Sequence, residues 1–66
     1  MYKDTREFKV GQQVVVMDAT PQGAEGVVTR VFEKRIGTGN IEVMINDGIC
    51  KGQKILFWQQ ELEFLP

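Results

Sequence analysis

The sequence predicts an all-β domain: a small five-stranded sheet bent around one core into a barrel. Three observations carry this. The apolar residues are largely β-branched and alternate, as in QVVVMD (13–18) and IEVMI (41–45). Glycine-rich and Asn-Asp-Gly stretches interrupt these runs at short intervals. And 66 residues are too few for two separate sheets, whereas a bent sheet makes one core and removes most open edges.

The elements follow in order. Residues 1–9 read as an N-terminal segment and 10–66 as the barrel. The first strand is QVVVMD (13–18), with Val14 and Val16 on one face and Val15 and Met17 on the other. Gly26 opens the second strand, VVTRVFE (27–33), and KRIGTGN (34–40) reads as a hairpin loop. In IEVMI (41–45), Ile41, Val43 and Ile45 share a face, and Asn46-Asp47-Gly48 is a strong turn signal. KILFW (54–58) is the fourth strand, QQE a short turn, and LEFL (62–65) the last strand. The expected interior is Val14, Val16, Val28, Val31, Val43, Ile45, Ile55, Phe57 and Leu62.

Composition bounds the function. A domain this small hides only about 60% of its unfolded surface, so its core is thin. Such domains often lean on disulfides, metals or self-association. Cys50 is the only cysteine and histidine is absent, so neither an internal disulfide nor an ordinary zinc site can form. Self-association is the remaining supplement. The 42% hydrophobic and 26% charged content is that of a globular chain. No apolar run approaches the roughly 18 residues of a membrane span, and MYKDTREFKV has no signal-peptide core. A cytoplasmic location is the default expectation. The net charge of −1 argues that any nucleic-acid binding is local, weak or assisted, because phosphate-gripping domains are usually strongly basic.

ATPQGAEGVVTRV (19–31) places two glycines three apart ahead of a valine run. A phosphate loop needs a helix after it, but here a strand follows Gly26, and IGTG (36–39) fails for the same reason. Without histidine the usual general base near neutral pH is missing. Cys50, between Ile49 and Lys51, reads as a small buried side chain, and Glu61 and Glu63 as solvating groups at the chain end. No enzyme and no cofactor are expected.

Read whole, GQQVVVMDATPQGAEGVVTRV (11–31) resembles the KOW motif, the core of SH3-like domains in NusG-type transcription factors and several ribosomal proteins. Val14 and Val16 fit its first strand, and Gly23, Glu25, Gly26, Val28 and Val31 fit its second half. IEVMIND and KILFWQQELEFL resemble the rest of the layout, so the likeness covers about residues 10–65. It implies a five-stranded SH3-like barrel in which the glycines bend one strand into the next. Ala19 stands where the family's first loop glycine falls. SH3-like barrels host many roles, so the likeness speaks to fold more than to function.

A weaker likeness is to the small plasmid-type dihydrofolate reductases, tetrameric SH3-like barrels around a pore. Their V-Q-I-Y segment falls on Lys54-Ile55-Leu56-Phe57, where the glutamine and the tyrosine hydroxyl are missing. That argues against the activity and leaves a homo-oligomer open. Accessory subunits with SH3-like barrels, such as those of photosystems, give a protein-docking reading.

Two surface features are candidate binding sites. Arg30, Lys34 and Arg35 cluster around the hairpin, and Lys51 and Lys54 flank the fourth strand; such cations meet phosphates or acidic partners, or merely solvate a polar face. If Ile55 and Phe57 point inward, Leu56 and Trp58 point outward, with Phe64 and Tyr2 as further members. An outward Trp beside a Leu often marks an interface. The structural alternative packs Trp58 under Tyr2 or Phe8, or shifts the register and buries it. In a nucleic-acid reading Trp58 stacks a base while Arg30 and Lys54 track the backbone. The residues therefore point to a non-catalytic KOW-like module docking on a protein or ribonucleoprotein surface through Arg30, Lys34, Arg35, Lys54, Leu56 and Trp58. The alternatives are a homo-oligomer holding a small ligand in a symmetric pore or cleft, and a mobile-element accessory or inhibitor protein that caps a partner.

Overall fold

A computed structural model describes residues 8–36 and 39–65, with the side chains of residues 34–36 outside the described set. The strands are β1 (Gln13–Val16), β2 (Glu25–Ile36), β3 (Gly39–Ile45), β4 (Lys54–Phe57) and β5 (Leu62–Phe64), and a 3-10 turn, Gln59–Glu61, joins β4 to β5. All five lie in one antiparallel sheet in the order β4-β3-β2-β1-β5.

The sheet is curled. Laid flat, five strands would hold β4 and β5 about 19 Å apart. The link between Phe57 and Leu62 is mostly 3-10 turn, which rises only about 2 Å per residue, and it cannot span that gap. Phe57 from one edge and Leu62 from the other accordingly share one core, with Val14, Val16, Val28, Ile41, Val43, Ile45 and Phe8. Strand alternation builds that core: along β3, Ile41, Val43 and Ile45 are buried while Glu42 and Met44 between them are half-buried. No described residue joins β4 to β5 by a ladder, so the curl brings the edges round without sealing them.

The five-strand expectation holds, with several corrections. The 34–40 segment is not all loop, because β2 runs on to Ile36, which pairs with Gly39. Two register shifts make this possible. At the first, Thr29 is an extra residue between Val28↔Val43 and Arg30↔Glu42, a bulge that bends the strand. Thr29 Oγ1 sits 2.9 Å from Glu42 Oε1, to which it donates. The second falls between Val31↔Ile41 and Ile36↔Gly39. Here the Asn40 side-chain amide donates to the Phe32 carbonyl.

Val31, expected inside, is 41% exposed. The bulge does turn it to the side of Ile41, its cross-strand partner, which is itself buried, yet Val31 is left uncovered. Ile55 is only half-buried, for a reason taken up below. Phe8 joins the core instead, with its ring 4.7 Å from that of Phe64.

Candidate functional site

β4 is an edge strand, and the register decides which way its side chains point. Ile41↔Phe57 and Val43↔Ile55 put Phe57 and Ile55 on the core side, while Glu42↔Leu56 and Met44↔Lys54 put Leu56 and Lys54 on the outer face. Leu56 is half-buried there and Lys54 exposed. Trp58 follows immediately in extended conformation, with φ −85° and ψ 151°, and is half-buried. It is therefore neither a core residue nor a fully displayed one. Its backbone N–H donates to Glu61 Oε1 at 2.9 Å, and its carbonyl accepts the Glu61 N–H at 2.9 Å. Glu61 thus caps the 3-10 turn rather than merely solvating the chain end.

The outer face continues inward from β4. Met44 lies opposite Val27, and Val15 opposite both Glu25 and Glu63. Val15, Val27, Met44 and Leu56 are all half-buried, and together they form a diagonal apolar stripe across four strands, bordered by Glu25, Arg30, Glu42 and Lys54. Phe64 is not part of it. It pairs with fully buried Val14, so it faces the core, where it meets Phe8; Tyr2 lies outside the described residues.

The basic candidates are not brought together on β4. Arg30 is exposed on the outer face, opposite Glu42, with its guanidinium 5.2 Å from the centre of the Phe32 ring. That geometry suits a cation–π contact and ties the arginine to its own strand. Lys34 and Arg35 lie further along β2, and their side chains are among those not described. Lys51 is exposed in the turn ahead of β4.

One further feature was not singled out in the sequence. A shallow depression of about 420 Å³ lies between the β1–β2 and β3–β4 connections, lined by Pro21, Gly23, Ala24, Asp47 and Ile49 among others. Ile49 on its rim is 96% exposed. Asp47 is partly committed there, since its Oδ1 accepts the Glu25 N–H at 3.2 Å. Cys50 is half-buried and packs against the core. Among the described residues no three His, Cys, Asp or Glu side chains converge as metal ligands, and no helix is long and apolar enough to cross a membrane. Comparison with protein-family models, curated proteins and solved structures returned no match.

Proposed function

We propose that this chain is a non-catalytic, KOW-like binding module that docks on a protein or ribonucleoprotein surface of the transcription or translation type. The observation that carries the reading is the outer flank of β4. Leu56 and Trp58, both half-buried, lie in succession at the sheet edge beside exposed Lys54. An apolar pair with a charged rim is the pattern of a protein-binding patch. The net charge of −1 favours protein over nucleic acid as the direct contact, and Arg30 is engaged with Phe32.

Co-sedimentation with purified ribosomes and with RNA polymerase tests this. Retention on one of them at moderate salt is expected, and it should be lost in Leu56→Asp and in Trp58→Ala. Binding to RNA alone should be weak and vanish as salt rises. Failure to be retained on either assembly would sink the proposal.

A further inference from the structure

From the β4 edge we infer that this module takes its partner as an added strand: the backbone of Lys54 and Leu56 pairs with an extended peptide bearing acidic side chains outward and apolar ones inward. This rests on the docking reading above and specifies its chemistry.

Three observations lead there. First, β4 ends the sheet order, and no described residue pairs with its far side. The Ile45 N–H donates to the Gln53 carbonyl at 2.9 Å. Antiparallel ladders alternate hydrogen-bonded and non-bonded pairs, so the bonded pairs that follow in this register are Val43↔Ile55 and Ile41↔Phe57. The N–H and C=O groups of Lys54 and Leu56 therefore point to the open edge. The next outward residue, Trp58, is closed, because Glu61 occupies both its N–H and its carbonyl. What remains is a bounded window offering two donors and two acceptors.

Second, the core is incomplete on that flank. Ile55 faces inward opposite Val43, which is fully buried, yet Ile55 itself is only half-buried. A strand laid along β4 would cover it with alternate side chains, which is how strand addition combines backbone affinity with side-chain selectivity. Third, the rim is basic: Lys54 on the strand and Lys51 just before it are both exposed. A lysine on an open edge guards against pairing with another copy of the same chain and favours an acid on the incoming strand.

The probe is a blocked hexapeptide of alternating valine and glutamate, with its valine–lysine counterpart as control. Amide hydrogen exchange at Lys54 and Leu56 should be fast in the free chain and slow by about fivefold with the acidic peptide, the worth of one net hydrogen bond. The lysine peptide should leave it unchanged. A synthetic chain N-methylated at the Leu56 amide keeps the side chain and loses the donor, and it should not bind the acidic peptide. The inference is overturned if these amides are already protected in the dilute free chain, or if protection rises with protein concentration alone, which would identify a second copy as the occupant. It is equally overturned if neither peptide slows exchange, or if the N-methylated chain binds as well as the parent. Loss of this binding with retention on ribosomes or polymerase intact would leave the docking reading standing, and the converse result would leave the strand site standing.

Discussion

Gly23 and Gly26 look alike in the sequence and serve different ends. Gly23 has φ +85°, and a side chain there would meet nothing within 4 Å. Its requirement is conformational, because the left-handed region costs other L-residues about 1–2 kcal/mol. Gly26 lies inside β2 and is buried. A Cβ on it would fall 2.5 Å from the Met44 carbonyl oxygen and 2.6 Å from Val43 Cγ1, so β3 can approach only because the side chain is missing. Gly26→Ala should destabilise by about 1–3 kcal/mol, as overpacking does. Gly23→Ala should cost about 1–2 kcal/mol, and D-alanine at 23 in a synthetic chain should restore stability. Urea titrations separate the cases, and an equal rescue by D-alanine at 26 would contradict the steric account. The sequence spacing assigns both glycines to the bend, since only the neighbouring strand distinguishes space from conformation. Ala19, where the resembled family has glycine, has no need of that residue: no described non-glycine residue has positive φ, and Ala19 packs against the core.

Element types were legible from alternation and turn residues, and element limits were not. Nothing in KRIGTGN announces that β2 reaches Ile36, because its pairing with Gly39 depends on shifts of register that have no signature in composition. The first of these is held by chemistry that can be tested. Thr29 Oγ1 donates to Glu42 Oε1 in a partly buried setting, so Thr29→Val should cost roughly 1 kcal/mol, near the net worth of a hydrogen bond. Glu42→Gln, which keeps an acceptor, should cost less, and a double-mutant cycle should show coupling between the two positions. Additive losses would mean that the bulge stands without this bond. The capping role of Glu61 was likewise hidden, because its reach back to the Trp58 N–H requires the 3-10 turn to have formed first.

Most of the core was legible for the whole molecule, since strand alternation assigns faces once a strand is placed. The exceptions are Val31, left exposed on β2, Ile55, half-buried at an edge, and Ile41 and Phe8, which are buried although the expected interior did not include them. The site was legible only in part. Leu56 and Trp58 stood out as residues, but the open backbone beside them appears only when β4 is found at the end of the sheet. A chain of this size has roughly 3–10 kcal/mol of stability to lose. Phe57 is 1% exposed at the centre of the core, and its truncation to alanine should remove about 3–5 kcal/mol. Phe57→Ala should therefore leave a chain with little cooperative thermal transition by circular dichroism. A sharp transition within a few degrees of the parent's would show that the core is less interdependent than its packing implies.

The β1–β5 ladder also sets an order of events. The other three ladders are hairpins between strands consecutive in the chain, but Val14 pairs with Phe64, a separation of 64 − 14 = 50 residues. Closing a loop that long costs roughly 1.4 kcal/mol more in chain entropy than closing a ten-residue turn, and such contacts slow folding. The three hairpins can assemble on local contacts, and β5 clasps them afterwards. Leu62, on β5 and fully buried, should then report late events: Leu62→Ala should speed unfolding far more than it slows refolding in a stopped-flow chevron. The reverse pattern would place the clasp in the folding nucleus. On this order the strand that fills the β1 edge of the sheet is the last to arrive and the first to leave, so the β1–β5 clasp, rather than the central hairpin, determines how long the folded state lasts.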